Sequence, residues 1–286
     1  MKDRPARIAA IHGLAGFGRS SLTAVIPTLS AMGVQVCPIP TAVLSTHTGF
    51  GDAEIRDLTD FIQPCTAHYQ KLGIAFEGVY SGFLSNASQA REVAALMAAC
   101  PEALSVVDPV MGDHGRKYRT CTPELTEAIR WLVHSADLIT PNPTEAALLL
   151  GEPYSHTPFT QRQLKSMLAR LAELGPRYIV ITGVETAAGE CASVGFDRQQ
   201  NAFWKVGFDY VPAAYPGTGD IFASVLTGGM ITGDSFPIAM DRATKFCELV
   251  IKTTFSYGAD TRHGVMLEKC LEWLAHREVL GDFQPL

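Results

Sequence analysis

The chain has 286 residues, 47% of them hydrophobic and 18% charged, with a formal net charge of −6. This length and balance describe a protein with a substantial core, one large α/β domain or two small ones, and exclude a disordered chain. An acidic balance without any Lys/Arg block argues against general nucleic-acid binding, so a small anionic substrate would need local positive groups or a metal.

In chain order, Ile8 to Ile11 reads as a first strand and Ser20 to Met32 as a helix ending at Gly33. Val34 to Leu44 contains two β-like pieces divided by Pro38 and Pro40. Asp52 to Leu72 is helical in character and is followed by strand-like Gly78 to Ser81. A helix over Ala87 to Ala99 precedes a buried strand, Leu104 to Val107. Pro123 opens a helix that runs to His134. Leu138 to Thr140 is a strand, Thr144 to Leu150 a short helix, and Gln161 to Leu174 a longer one. Tyr178 to Thr182 has the near-continuous apolar pattern of a doubly covered strand. Strand-like pieces near 191–196 and 202–211 lead into helices over about 220–231 and 237–255, and Met266 to His276 forms a last segment. This alternation predicts a mostly parallel sheet covered on both faces, in one domain spanning 1–286.

Seven cysteines, Cys37, Cys65, Cys100, Cys121, Cys191, Cys247 and Cys270, form no Cys-x-x-Cys pair. Their odd number and apolar settings suit reduced thiols in a cytosolic enzyme better than disulfides or zinc. The basic start, Met1 to Pro5, leads only to a short apolar run broken at His12, too short for a signal-peptide core. No apolar run is long enough to span a bilayer. The expectation is a cytoplasmic protein.

The most informative segment is Gly217-Thr218-Gly219-Asp220, which follows a β-prone stretch and opens a helix. Two glycines let the backbone turn sharply, and the first helical turn presents unpaired N–H groups at the positive end of the helix dipole. A carboxylate inside an anion cradle makes sense if Asp220 takes the proton of a hydroxyl attacking a phosphoryl group, while the amides steady the developing charge. The same four residues are also compatible with a plain loop and an N-capping Asp.

Other segments follow predicted strands. In Asp108-Pro109-Val110-Met111-Gly112-Asp113, Pro109 keeps Asp108 extended, and Asp108 with Asp113 can engage magnesium; a Pro/Gly/Asp turn explains the same residues. In Thr140-Pro141-Asn142-Pro143-Thr144-Glu145, the Asn142 amide can face a phosphate or metal-bound water, whereas Thr144 and Glu145 are ordinary helix-start residues. Ser45-Thr46-His47-Thr48-Gly49-Phe50 is either a rim for a polar aromatic ring or a surface turn. Gly13-Leu14-Ala15-Gly16-Phe17-Gly18-Arg19-Ser20 has Walker-A spacing, but Arg19 replaces the lysine whose compact ammonium reaches the phosphates. It is expected to be a glycine turn that lets backbone approach the substrate.

Together these motifs, with Ser81-Gly82-Phe83, occur in the order seen in the ribokinase-like superfamily, and the chain resembles its pyridoxal (vitamin B6) kinases over nearly its whole length. The resemblance implies a three-layer α/β/α sandwich and a kinase that phosphorylates the 5′-hydroxymethyl group of a B6 vitamer. It implies Asp220 as base, with Gly217, Thr218 and Gly219 as the anion hole. Asp108, Asp113, Asn142 and Glu145 would organise Mg-ATP and a monovalent cation such as K+, with Asp108, Asp113 and Glu145 as metal ligands. Tyr118, Thr140 and Thr182 would line the nucleotide side, and Thr48, within the His47-Thr48 ring-site segment, would contact the pyridine ring. Tyr80, Phe83 and Phe50 favour a flat ring over a sugar. The family is usually dimeric.

One position departs from the pattern. Pyridoxal kinases often carry a serine after the first strand that bonds the ring, and this chain has Ile11-His12-Gly13-Leu14, so His12 or backbone would replace that contact. Hydroxymethylpyrimidine kinases of thiamine synthesis, and a non-catalytic vitamin-binding protein on the same fold, are the competing readings. Asp113 to Thr120 is a candidate lid.

Overall fold

The computed structural model describes residues 4–276 and 281–286; residues 1–3 of the basic start lie outside them. The chain runs β1 (Arg7–Phe17), α1 (Leu22–Ala31), β2 (Gln35–Thr46), β3 (Ile55–Asp57), α2 (Thr59–Lys71), β4 (Gly78–Ser81), α3 (Ala87–Ala99) and β5 (Leu104–Val107). A small hairpin, β6 (Gly112–Asp113) and β7 (Arg116–Lys117), precedes α4 (Pro123–Val133), β8 (Leu138–Ile139), α5 (Pro143–Leu150) and α6 (Gln161–Glu173). There follow β9 (Tyr178–Glu185), β10 (Cys191–Asp197), β11 (Ala202–Phe208), α7 (Thr218–Thr232), α8 (Phe236–Ser256), α9 (Leu271–Ala275) and β12 (Gln284–Pro285).

Apart from the hairpin, these strands form one sheet in the order β12-β11-β10-β9-β8-β5-β4-β1-β2-β3. The six strands from β9 to β2 are parallel, and antiparallel strands extend both edges. Side chains alternate faces along β1: Ala9 and Ile11 join a core shared with α3 to α6, while Ile8 and Ala10 join one shared with α1, α7, α8 and α9. Helices therefore cover both faces, and the architecture is the expected α/β/α sandwich. Among the described residues no helix is long and apolar enough to cross a membrane.

Three local expectations are corrected. The glycine-rich segment after Ile11 is not a turn: β1 continues to Phe17, pairing Leu14 with Val43 and Phe17 with Thr46 after a register shift between His12 and Leu14. Backbone pairing on β2 outweighs the turn preference of isolated glycines here. The two β-like pieces around Pro38 and Pro40 are one strand. Gln35 N–H points to β1, so by alternation the donorless Pro38 and Pro40 nitrogens face the outer edge, where β3 pairs only with residues 42–44. The segment 52–72 divides into β3 and α2, because Ile55–Asp57 finds a partner edge that periodicity alone cannot show. At the end of the chain, the last segment, Met266 to His276, holds a 3-10 turn over Leu267–Lys269 and α9, and β12 adds to β11.

Candidate active site

In doubly wound sheets ligands bind beyond the strand carboxyl ends, where neighbouring strands lead away in opposite directions. Here the chain passes from β1 to β2 on one side and then to β4 on the other. The crevice therefore opens between β1 and β4, just past the Ile11–Ser81 pair. His12 lies at that point of divergence, and the start of α7 faces it.

Gly217 caps α7 in the left-handed region, at φ 87°, and among the described residues no side chain caps this helix. A methyl group on Gly217 would lie 2.0 Å from the Arg19 carbonyl oxygen, so only glycine fits both the angle and the approach. The Thr218 hydroxyl donates to Tyr215 O at 3.1 Å and ties the turn to the preceding loop. The first intrahelical bond is Ile221 N–H to Gly217 O, which leaves the amides of Thr218, Gly219 and Asp220 directed out of the helix end. Arg19 forms an ion pair with Glu268 at 2.8 Å. It is committed there, and nothing in its placement suggests the role of a Walker lysine.

Asp220 is 8% exposed and both its oxygens are engaged. Oδ1 is 2.8 Å from His12 Nε2, and Oδ2 accepts from the Ser21 N–H at 2.6 Å. Asp108 sits across the helix start, with Oδ2 3.9 Å from the Cβ that an alanine would carry at 219. Burial first, and then the charge of Asp220, hold the Asp108 carboxyl well above the ordinary carboxylate range. A cation lying between such groups relieves that repulsion. Thr140, buried just past β8, opposes the rise at Asp108 through its hydroxyl beside that carboxyl, and the Ser81 and Ser20 hydroxyls are buried without a partner among the described residues. Thr182 is half-buried in β9.

The start of α5 is built differently. Asn142 Oδ1 accepts from the Thr144 and Glu145 N–H groups, and Glu145 Oε2 accepts from Asn142 N–H in return. The Asn142 amide donates to Gly112 O at 2.8 Å, and Glu145 Oε1 accepts from Met111 N–H at 3.1 Å. Every polar atom of these two side chains is thus spent on a capping box and on tethering the loop 108–113. The Asn142 amide, expected to face phosphate or metal-bound water, is bonded here to that loop. Burial and then Asp108 raise the Glu145 carboxyl, against the pull of those two amides. Asp113 is exposed at the start of a tight hairpin turned by His114 and Gly115, both with positive φ. Among the described residues no group of three or more His, Cys, Asp or Glu is assembled to hold a metal, so Asp108, Asp113 and Glu145 are not a preformed cage. Tyr118 follows the hairpin and is 40% exposed; the partial burial of its phenol and then the carboxylates of Glu145, Asp113, Asp220 and Asp108 push its pKa up.

On the ring side, two histidines and a tyrosine depart from expectation. His12 is 1% exposed and both ring nitrogens are taken within the protein. His47 Nδ1 accepts from Gly49 N–H and its Nε2 lies 2.6 Å from Arg262 O, fastening β2 to the loop before α9. Tyr80 is fully buried under His12, its ring edge-on to the imidazole at 6.0 Å. The ring nitrogens of both histidines are engaged within the protein, while the Tyr80 hydroxyl is buried without a partner among the described residues. Thr48 is exposed at the rim, beside a cluster of Phe17, His47, Phe50 and His263. Sequence reasoning missed Ser21, whose amide meets Asp220, because no residue type signals a backbone donor. It also gave no particular role to Gly82, where a methyl group would lie 2.0 Å from His12 Nε2.

An uncapped helix start beside a buried, doubly held carboxylate, at the switch point of a parallel sheet, can take up an anion next to a base. The family model described as phosphomethylpyrimidine kinase matches residues 17–265, and the chain belongs to that family. It is similar to a candidate phosphomethylpyrimidine kinase of Bacteroides thetaiotaomicron crystallised with pyridoxal, at 42% identity and a TM-score of 0.94, covering 99% of this chain and 100% of that one. It is also similar to the pyridoxal kinase of Lactobacillus plantarum, at 30% identity and a TM-score of 0.86, covering 94% and 96%. The pyridoxal kinase PdxY of Corynebacterium diphtheriae is 28% identical, over 98% of this chain and 99% of that protein.

Proposed function

We propose that this chain is an ATP-dependent kinase of B6 vitamers, which phosphorylates the 5′-hydroxymethyl group of pyridoxal, pyridoxine or pyridoxamine in pyridoxal 5′-phosphate salvage. The observation that carries the reading is Asp220 at the uncapped start of α7. Its carboxylate takes the hydroxyl proton as the oxygen attacks the γ-phosphorus. The bond from that phosphorus to the β–γ bridging oxygen breaks, and ADP leaves. The amides around Gly217, Thr218 and Gly219 meet the charge on the transferring oxygens, at the positive end of the helix dipole.

Asp108, with its raised and buried carboxyl, fits Mg2+ shared with the substrate phosphates, a common arrangement for an ion that seldom has an all-protein cage. When bound, Mg2+ neutralises phosphate charge. Asp113 lies at the exposed end of the same loop, and Glu145 and Asn142 hold that loop in place. A monovalent cation such as K+ belongs to the same acidic region. Thr140, Thr182 and Tyr118 border the nucleotide, the hairpin from Asp113 to Thr120 covers it, and Thr48 faces the ring.

A second reading, phosphorylation of hydroxymethylpyrimidine, is favoured by the description of the matching family model. ADP release from Mg-ATP, measured with pyridoxal, pyridoxine, pyridoxamine and hydroxymethylpyrimidine, separates the two. Turnover on B6 vitamers is expected, with Asp220→Asn lower in kcat by about 10²–10⁴-fold. Turnover on the pyrimidine alone moves the protein to thiamine synthesis. Silence on all four, with vitamer binding retained, leaves a binding protein.

The whole chain acts as one kinase domain. It works in the cytoplasm, a placement supported by seven unpaired cysteines. It is a homodimer, supported by Phe17, Val43, Ile55 and Phe61, exposed apolar residues on β1, β2, β3 and α2 at one end of the sheet. A monomer in sedimentation equilibrium at micromolar concentration rejects that assembly.

A further inference from the structure

We propose that His12 is a positioning residue for Asp220: a histidine held in one tautomer that donates to the carboxylate and, with the Ser21 amide, fixes its orientation toward the acceptor hydroxyl. The inference rests on Asp220 being the base, and deepens that reading.

The tautomer follows from hydrogen-bond bookkeeping. His12 Nδ1 lies 2.9 Å from Gly13 N and 3.2 Å from Phe83 N. Backbone N–H groups can only donate, so Nδ1 carries the lone pair and the proton resides on Nε2. The Phe83 amide also lies 3.4 Å from Nε2, but Gly13 settles the assignment. Nε2–H then donates to Asp220 Oδ1 at 2.8 Å. An imidazolium would set a second N–H against two backbone N–H groups, so His12 is not a station for the substrate proton. That proton stays on Asp220.

Three backbone features converge on the arrangement. The register shift of β1 between His12 and Leu14 places a bulge beside the imidazole, as bulges near active sites re-aim side chains. Gly82 lets the chain close against the ring, since any Cβ there would lie 2.0 Å from Nε2 and 2.1 Å from Cδ2. Ser21 adopts φ 56° and ψ −140°, a region rarely occupied by non-glycine residues, and this conformation carries its N–H to Asp220 Oδ2. A histidine that merely filled the core would need none of these.

The test compares full-length wild type with His12→Gln, His12→Asn, His12→Ala and Asp220→Asn, reading kcat, the KM for ATP and for pyridoxal, and Tm. A glutamine amide can donate near the Nε2 position, and the shorter asparagine cannot reach it. We expect His12→Asn and His12→Ala to lose about 10–100-fold in kcat, the range seen when a residue that orients a site group is removed, with both KM values nearly unchanged. His12→Gln should recover most of that loss. Wild-type kcat in His12→Ala overturns the proposal, as does a higher KM for pyridoxal at unchanged kcat, which makes His12 a ring contact. His12→Gln no better than His12→Asn at equal Tm overturns it too, and this pair decides if the alanine variant does not fold. A fully active Asp220→Asn removes the base assignment itself. Independently of turnover, 15N shifts of the His12 ring, assigned by difference from His12→Gln, should report Nε2–H at neutral pH. An Nδ1–H or doubly protonated ring contradicts the proposal.

Discussion

Two helices begin at the carboxyl edge of the same sheet, and their first turns are opposites. At α5 every side-chain atom able to cap does so: Asn142 and Glu145 close a reciprocal box and Pro143 lacks an N–H. At α7 the cap is a glycine in the left-handed region and, among the described residues, no side chain reaches the free amides. Both starts carry an acidic residue at the same position of the first turn, Glu145 and Asp220. Glu145 accepts one N–H from its own helix cap, Asn142, and one from Met111 in the loop 108–113, while Asp220 takes both its partners, His12 and the Ser21 amide, from other elements. The difference shows that a strong capping signal marks a helix end stabilised by its own side chains. A helix end left open by glycine is the one able to receive a ligand.

That contrast predicts unequal mutational responses. Asp108, beside the open helix start, is expected to give the larger effect. Asp108→Asn should reduce kcat/KM at least about tenfold, as loss of a metal-organising group does. It should also raise the Tm of the ligand-free protein by about 2 °C or more, because a buried carboxylate facing another is removed. The sign follows from the raised folded-state pKa. The folded protein binds protons more readily than the unfolded chain, whose carboxyl groups titrate near 4. The contribution is fully present below the unfolded value and is lost as pH rises through the folded one. Wild-type Tm should therefore climb on acidification from alkaline pH toward that range, and the slope should be shallower in Asp108→Asn. Equal slopes by differential scanning calorimetry contradict the assignment.

At the closed helix start the effect should be smaller and of another kind. Asn142→Ala is expected to cost about 0.5–2 kcal/mol of stability, the usual loss of an N-cap, with kcat changed only slightly. Urea unfolding and steady-state kinetics read the two quantities separately. A tenfold rise in the KM for ATP at unchanged stability would return Asn142 to the nucleotide site and erase the contrast.

The alternation of apolar runs and helical periods made the layered α/β fold legible, and α3 appears over the residues the pattern marked, Ala87–Ala99. The open helix start at Gly217 to Asp220 was legible because its glycines and carboxylate have direct backbone consequences. Asn142 and Glu145 carried the same local signal whether they faced a ligand or each other, so their commitment could not be decided along the chain. His12 was visible only as a departure from a resemblance. Its pairing with Asp220 joins residues 208 positions apart, across a crevice that exists only once β1 and β4 diverge. The Ser21 amide carries no residue signature at all.

By itself, then, the sequence determined the layers, the parallel sheet and the helix that begins at Gly217, because periodicity and glycine are local properties of the chain. Tertiary structure alone decided that β1 runs on through its glycines, that Tyr80 and His47 turn inward, and that Asp220 is held from two sides. Those outcomes depend on which donors and acceptors remain unpaired after the sheet has formed, and that inventory belongs to the folded molecule.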